Sequence, residues 1–204
     1  MLDIALPKGR LGDRVYKTFK KIGYFCPEME EDNRKLIFTG GDVRYLLIKP
    51  SDVAVYVERG AADIGVVGKD VIEETSPDVY ELMDLGFGRC RMCVCARDGY
   101  VENTGAALRV ATKYPNIASA YYKSINREIE IIKLNGSIEL APILDLSDVI
   151  VDIVETGSTL KQNHLHVEKE IMNSSARLIC SKKSFGFKQA EIENLLRKLE
   201  TVAE

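Results

Sequence analysis

The sequence lacks a hydrophobic run long enough to cross a membrane. Its longest apolar stretches are strand-sized, such as "VIVDIV" at 149–154, whereas a spanning helix needs about 20 apolar residues. The first residues, "MLDIAL", show no basic region, no long apolar core and no cleavage site. We therefore expect neither a membrane protein nor a secretory signal, and we expect the chain to be cytoplasmic.

An excess of positive charge is also missing. The formal net charge is −3 over 204 residues, which gives no bulk electrostatic attraction to nucleic acid or to an anionic membrane. Apolar residues make up 46% of the chain and charged residues 29%, fractions that indicate a folded globular protein rather than a disordered one. We expect no nucleic-acid partner, although local basic clusters can still bind small anions.

Cysteine is scarce. The five cysteines are an odd number in a fairly large chain, which favours reduced thiols over a disulfide framework. The cluster "CRMCVC" at 90–95 has no second CxxC, so the paired ligand groups of a structural zinc site are missing. The pattern favours a strand whose small thiols pack inside the protein. A metal centre is the alternative.

An alternation of strand and helix patterns is what the sequence does contain. After residue 88, the strand patterns "LRVATKYP", "IEIIKL" and "DVIVDIV" are each followed by a helix pattern, "NIASAYYKSI", "SIELAPIL" and "STLKQNHL". Three consecutive βα units predict a parallel sheet with crossover helices. Ser51, Asp70 and Ser137 are candidate helix N-caps.

The same pattern predicts an α/β fold of two lobes with mainly parallel sheets. We place the divisions near Gly86–Gly88 and near Lys182–Ser184. The first lobe is then discontinuous, with residues 1–88 and 183–204, and the second lobe has residues 89–182. In open parallel sheets, ligands bind at the carboxyl ends of the strands, so the loops that follow the strands are the candidate sites.

The loop after the strand 149–154 has the most unusual chemistry. Six residues carry it: Asp152, Glu155, Thr156, Gly157, Ser158 and Thr159. A glycine lets the backbone approach an anion, and successive N–H groups and hydroxyls at a helix start can bind a phosphate monoester. The two carboxylates would repel that phosphate, so they must face ribose hydroxyls or a metal-bound pyrophosphate. The loop therefore predicts a sugar-phosphate site, and the alternative is a capped turn with two solvated acids.

Basic residues mark further strand ends in the first lobe. Lys8 and Arg10 flank a glycine after the first strand, where an anion is the expected ligand and a solvated turn is the alternative. Arg34 and Lys35 begin a strand, "RKLIF". Lys35 fits the role of a charge that deters edge aggregation. Arg34 is the better phosphate ligand, because its planar fork binds two oxygens at once. Lys49 is a further candidate.

Three more residues complete the candidate set at strand ends. Asp70, in "VGKD", most simply caps a helix. In the second lobe, "ATKYP" provides Lys113 and Tyr114. The Tyr114 ring could stack on a base, and packing is the alternative.

Together these segments resemble the ATP phosphoribosyltransferase family over nearly the whole chain. The matching segments, in order, are "LPKGRL", "RKLIF", "YVERGAADIGVVGKDV", "VATKYPN", "IKLNGSIELAP" and "DVIVDIVETGSTLKQN". The resemblance implies two lobes similar to type II periplasmic binding proteins. It also implies the first reaction of histidine biosynthesis, which joins N1 of ATP to C1 of phosphoribosyl pyrophosphate with Mg²⁺ and releases pyrophosphate.

The resemblance is to the short form of the family. Long forms add a C-terminal regulatory domain, and we expect none here because the final helix pattern reaches Glu204. Short forms depend on a regulatory subunit similar to histidyl-tRNA synthetase. The resemblance thus implies a hetero-octamer built around homodimers of the catalytic subunit.

The resemblance also implies roles for the candidate residues. Arg34 is the leaving-group arginine, acting across the dimer interface, and Lys8 and Arg10 position phosphates. The segment from Asp152 to Thr159 binds phosphoribosyl pyrophosphate, with either Asp152 or Glu155 on the ribose hydroxyls. The ATP and phosphate set is Lys49, Asp70, Lys113, Tyr114 and Glu139, although Glu139 could instead be an exposed acid in the first turn of its helix. Mg²⁺ is expected to arrive with the substrate rather than on dedicated protein ligands.

Two other classes of protein remain as alternatives. The first is a solute-binding module without catalysis, but such proteins are usually exported and have no need of an arginine aimed at pyrophosphate. The second is a nucleobase phosphoribosyltransferase, whose related motif has two adjacent acids. Val151 occupies the first of those two positions here, which argues against that class.

Overall fold

The structure, a computed structural model, describes residues 1–31 and 34–202. The strands are β1 (Leu2–Pro7), β2 (Ile37–Gly40), β3 (Val43–Ile48), β4 (Ile64–Gly68), β5 (Val79–Asp84), β6 (Cys90–Arg97), β7 (Leu108–Thr112), β8 (Ile129–Lys133), β9 (Val149–Val154), β10 (Leu165–Ser174) and β11 (Ala176–Ser181). The helices are α1 (Arg10–Lys21), α2 (Val53–Glu58), α3 (Lys69–Thr75), α4 (Pro115–Ser124), α5 (Leu140–Ile143), α6 (Ser158–Gln162), α7 (Lys182–Phe187) and α8 (Gln189–Glu200). The α/β class is confirmed.

The chain divides into two compact units. The first contains Met1–Ile72, Ser76–Gly88 and Ser175–Glu204, and the second contains Glu73–Thr75 and Arg89–Ser174. The return to the first unit therefore lies at Ser175, and the division that the sequence suggested near Lys182–Ser184 is wrong. The reason is β11, which pairs with both β4 and β5 in the sheet of the first unit. Lys182 begins α7 instead.

In the first unit, the described residues form a sheet with the strand order β2-β3-β1-β4-β11-β5. The three strands β3, β1 and β4 are parallel. β2 is antiparallel to β3, and β11 is antiparallel to both β4 and β5. The sheet is thus mixed, with a parallel centre, rather than mainly parallel. Carboxyl ends of parallel strands meet at one edge, so the loops after β1, β3 and β4 lie together.

The second sheet has the order β10-β6-β9-β7-β8 in the part of the chain that the structure describes. β7 is parallel to both β8 and β9, which confirms the three predicted βα units. β6 is antiparallel to β9, and β10 is antiparallel to β6. The apolar run of β9 is explained by helices on both faces of the sheet. Val151 packs in the cluster that contains Ile117 of α4, whereas Ile150 packs in the cluster that contains Leu160 of α6.

The predicted helix caps are wrong. Asp52 occupies the N-cap of α2, Gly68 that of α3 and Glu139 that of α5, so none of the three predicted residues holds the position. Asp70 instead lies in the first turn of α3, where a carboxylate complements the helix dipole. Ser137 adopts a left-handed conformation with φ 50, and its carbonyl accepts the N–H of Leu140. That turn shortens the predicted helix to four residues.

Asp63 is a buried charge that joins three elements of the first unit. It is 6% exposed and accepts hydrogen bonds from the N–H of Asp3 at 2.8 Å and from Nζ of Lys188 at 2.6 Å. Burial alone would raise the pKa of Asp63, but these two bonds and one from Ser184 outweigh it and hold the pKa below the ordinary 3.8. The ionised carboxylate therefore stabilises the fold.

We expect Asp63→Asn to lower the free energy of unfolding by about 2 kcal/mol at pH 7, since a hydrogen bond to a charged group is lost. Because the folded-state pKa is depressed, the contribution is fully present above pH 3.8 and disappears as the pH falls through the folded value. Urea unfolding of both proteins across this range measures the effect. The exposed pair of Asp78 with Lys182 provides the control, and Asp78→Asn is expected to change stability by less than about 0.5 kcal/mol. Equal losses for the two variants would contradict the account.

Candidate functional site

The candidate basic residues of the first unit lie at one edge of its sheet. The N–H of Lys8 donates to the carbonyl of Ile48 at 2.8 Å, so Lys8 and Lys49 leave neighbouring parallel strands side by side. Both residues are exposed. The structure thus brings two ammonium groups to the edge where α1 begins, an arrangement that attracts anions.

The turn between β1 and α1 is fixed by two glycines. Gly9 has φ 93, in the left-handed region that glycine adopts without strain, and it forms the N-cap just before Arg10. A Cβ built on Gly12 would lie 1.8 Å from the carbonyl oxygen of Pro7. The helix therefore sits directly on the strand end, and Arg10 is held beside Lys8. In the sequence, the only signal of this contact is a glycine in the first turn of a helix.

Arg34 reaches the same edge from the other direction. β2 is antiparallel to β3, with Ile37 opposite Leu46, and the N–H of Leu47 donates to the carbonyl of Leu36 at 2.8 Å. The segment before β2 therefore runs beside the end of β3, toward Lys49. Arg34 is exposed and forms no ion pair with any residue in 1–31 or 34–202.

Asp70 completes the set in the first unit. Because β4 is parallel to β1, the start of α3 lies at the edge that carries the basic residues. The side chain is buried, with 8% of the residue exposed. This burial favours a role for Asp70 in stabilising the start of α3 over a role in binding a ligand at the surface.

In the second unit, the candidate residues gather at the carboxyl ends of β7, β8 and β9. Lys113 and Tyr114 follow β7, and Lys113 is exposed. Tyr114 is only 5% exposed and packs in the core with Ile117. Burial leaves no ring face for a base, so the stacking role is wrong and the packing alternative holds for Tyr114.

Asp152 and Glu139 share the opposite face of this sheet with two buried thiols. Asp152 lies across from Cys93 in the pairing of β9 with β6. Burial raises the pKa of Cys95 to about 12, and the charges of Cys93, Asp152 and Glu139 add to the shift. Both carboxylates therefore lie within electrostatic range of Cys95. The predicted strand is confirmed, and its thiols point inward at Cys93 and Cys95, which are fully buried, whereas Cys90 is half-buried.

The loop 155–159 adopts the conformation that its glycine permits. Gly157 has φ 76 and ψ 5 and forms the N-cap of α6. The hydroxyls of Thr156 and Ser158 lie 3.0 Å apart, and the carbonyl of Gly157 accepts the N–H of Lys161 at 3.1 Å. In the described part of the chain, no oxygen accepts the main-chain N–H of Thr156, Gly157 or Thr159. Three donors and three hydroxyls at an exposed turn suit an anion with several oxygens.

The carboxylates at the end of β9 also match the small number of protein ligands that Mg²⁺ needs. This ion usually binds proteins through one or two carboxylates and takes its other ligands from water and substrate phosphates. Asp152 and Glu155 supply that number at the end of β9. Among the described residues, no group of three or more His, Cys, Asp and Glu side chains is arranged for a metal ion. None of the described helices has the length and apolarity to cross a membrane.

Comparisons with known proteins identify the family of this chain. The family model for ATP phosphoribosyltransferase matches residues 49–201. A protein of that name from Brachyspira hyodysenteriae is 60% identical over 205 residues, covering 99% of this chain and 100% of the relative. The relative of the same name from Clostridioides difficile is 52% identical over 202 residues, covering 98% of this chain and 97% of its own.

Two solved structures illustrate the fold that this chain shares. The ATP phosphoribosyl transferase (HisG:HisZ) complex from Thermotoga maritima contains a chain with a TM-score of 0.88 and 35% identity, and the match covers 100% of this chain and 98% of that one. The periplasmic VFT2 domain of BvgS from Bordetella pertussis has a TM-score of 0.63 at 12% identity, covering 100% and 88%. The second likeness concerns the fold alone, and it agrees with the expected similarity to periplasmic binding proteins.

Proposed function

The chain belongs to the ATP phosphoribosyltransferase family, and on that premise we propose that it joins N1 of the ATP adenine to C1 of phosphoribosyl pyrophosphate, the first reaction of histidine biosynthesis. The single observation that carries the proposal is the loop 155–159, where main-chain N–H groups without an acceptor in the described chain follow two carboxylates. The loop would bind the 5′-phosphate, and Asp152 or Glu155 would bind the ribose hydroxyls.

The reaction exchanges one bond at C1. The lone pair of adenine N1 forms the new bond as the C1–oxygen bond to pyrophosphate breaks, and pyrophosphate leaves with the electron pair and with inversion at C1. Positive charge grows on the ribose and negative charge grows on the leaving group. The carboxylates near the ribose stabilise the first charge, and Arg34 stabilises the second from the partner subunit of a dimer.

The remaining residues bind and orient the substrates. Lys8 and Arg10 lie beside each other at the edge of the first sheet and hold phosphates. Lys49, Lys113 and Glu139 serve ATP or its phosphates, with Asp70 at the start of α3. Mg²⁺ bound by pyrophosphate oxygens, with Asp152 or Glu155 as its protein ligand, would supply charge neutralisation of the leaving group.

We also propose that the chain works with a regulatory subunit in the cytoplasm. A homologous chain from Thermotoga maritima was solved as a HisG:HisZ complex. A histidyl-tRNA-synthetase-like partner and a hetero-octamer of catalytic dimers follow from the short-form resemblance.

The test is to mix the protein with ATP, phosphoribosyl pyrophosphate and Mg²⁺, with and without the regulatory subunit, and to follow the absorbance of the adduct. We expect adduct formation that needs both substrates and that the regulatory subunit increases. A parallel reaction with adenine in place of ATP is expected to give no product. Product from adenine and phosphoribosyl pyrophosphate would identify a nucleobase phosphoribosyltransferase. Binding of the sugar phosphate without turnover, in the presence of the partner, would indicate a binding module.

A further inference from the structure

Thr112 joins the end of β7 to the middle of β9 through one buried hydroxyl next to the candidate site. It is the last residue of β7 and is fully buried, with 0% of the residue exposed. Its Oγ1 donates to the carbonyl of Val151 at 2.6 Å and accepts the N–H of Tyr114 at 2.8 Å. Val151 is directly before Asp152, so the hydroxyl contacts the main chain at the point where the site begins.

The two hydrogen bonds give the hydroxyl a direction. Because the N–H of Tyr114 donates to Oγ1, the proton of the hydroxyl is left to point at Val151. Tyr114 is itself buried in the core, so the hydrogen-bond donor to Thr112 on the side away from β9 is fixed in position. The bond to Val151 therefore ties β9, directly before Asp152, to a rigid part of the second unit.

The end of β9 needs such support. Its other neighbour is β6, which pairs through residues up to Val154, but the loop that follows is exposed and has few bonds of its own. Asp152 belongs to β9 and pairs with Cys93 of β6, and the turn at Gly157 takes its position from the end of the same strand. Ligand groups must be held to within a fraction of an ångström to bind and react efficiently.

We propose that Thr112 is a positioning residue for phosphoribosyl pyrophosphate. Its hydroxyl sets the position of the β9 end, and through it the position of Asp152 and the loop 155–159, without contacting the ligand itself. This role rests on the proposed function of that loop. The general design is a side chain whose two hydrogen bonds hold the residues that bind substrate.

The test compares Thr112→Val with Thr112→Ser in the complete enzyme with its regulatory subunit. Valine keeps the shape and β-branching of threonine but makes neither bond, whereas serine keeps the hydroxyl. We expect Thr112→Val to raise the KM for phosphoribosyl pyrophosphate about tenfold or more, with the KM for ATP changed less than about threefold. Thr112→Ser is expected to stay within about threefold of the wild type for both substrates.

Ser147→Ala is the matched control. Ser147 is also a buried hydroxyl of the second unit, 1% exposed, and its Oγ has no hydrogen-bond partner within the described residues. Removing it is expected to leave both KM values unchanged. A rise in both KM values by the same factor in Thr112→Val, or a rise in Thr112→Ser equal to that in Thr112→Val, would overturn the positioning role.

A measurement on the wild type keeps the proposal testable if Thr112→Val does not fold. Saturation with phosphoribosyl pyrophosphate should slow hydrogen exchange of the Tyr114 amide, because binding favours the state in which the Thr112 bonds are closed. An exchange rate that saturating ligand leaves unchanged would overturn the proposal. Wild-type protein that binds no phosphoribosyl pyrophosphate in these titrations would instead refute the proposed function, so the two failures are distinct.

Discussion

Replacing Arg34 with alanine is expected to lower kcat about 100- to 1,000-fold while either KM changes less than about threefold. The guanidinium is exposed at the edge of the first sheet and has no ion pair in the described chain. A planar fork can meet two pyrophosphate oxygens whose charge grows as the C1–oxygen bond breaks. An interaction that strengthens only in the transition state is lost from kcat rather than from binding.

Lys35→Ala is the control for the Arg34 variant. Lys35 is the adjacent exposed cation, and its Nζ lies 2.9 Å from the carboxylate of Glu28. Removing Lys35 changes the net charge by the same amount as the Arg34 change does, but it removes no group aimed at the leaving group. Steady-state kinetics of both variants with the regulatory subunit measure the difference. Turnover of Arg34→Ala within a few-fold of the wild type would refute the leaving-group role.

Gly157→Val is expected to weaken binding of phosphoribosyl pyrophosphate about 100-fold while the protein stays folded. A Cβ on Gly157 would have ordinary space, with Val154 at 3.8 Å, but φ 76 is strained for a β-branched residue. The turn must rearrange, and its N–H groups then no longer converge on the phosphate. Losing two charge-assisted hydrogen bonds of about 1.5 kcal/mol each corresponds to about 100-fold in Kd.

Gly99→Val separates strain from ligand binding. Gly99 has φ 79 and lies in the same unit, and an added Cβ there meets no atom within 4 Å. Both substitutions should cost about 1–3 kcal/mol of stability from the left-handed backbone. Calorimetric titration is expected to show unchanged affinity for Gly99→Val and a Kd about 100-fold higher for Gly157→Val. Similar affinities for the two folded variants would contradict a phosphate-binding role for the loop 155–159.

Much of the fold could be predicted because local patterns and tertiary structure agree. The unbroken apolar run of β9 requires helices on both faces, and α4 and α6 provide them. β10 shows the opposite case. It is an edge strand whose exposed residues include His166 and Glu168, so no apolar alternation marks it in the sequence.

The division between the units illustrates a second limit. "RLICSK" reads as a strand from its own composition, and β11 is indeed that strand. Its pairing partners β4 and β5 are about a hundred residues earlier in the chain, and no local pattern indicates which sheet a strand joins. The predicted boundary therefore came after β11, whereas the structure places it before.

The candidate site was predictable where backbone chemistry decides it. Gly157 in a turn of hydroxyl residues after a strand indicates an anion loop, and the structure gives it a left-handed conformation. Thr112 and Gly12 could not be identified this way. Thr112 acts through a hydrogen bond to Val151 on a neighbouring strand, and Gly12 permits the close approach of α1 to Pro7. Only the folded chain reveals these two contacts.

The most direct measurement is a crystal structure of the protein with phosphoribosyl pyrophosphate and Mg²⁺. We expect the 5′-phosphate at about 3 Å from main-chain N–H groups of residues 156–159, with the ribose hydroxyls on Asp152 or Glu155. An ordered ligand bound elsewhere, with residues 155–159 open to solvent, would contradict this prediction.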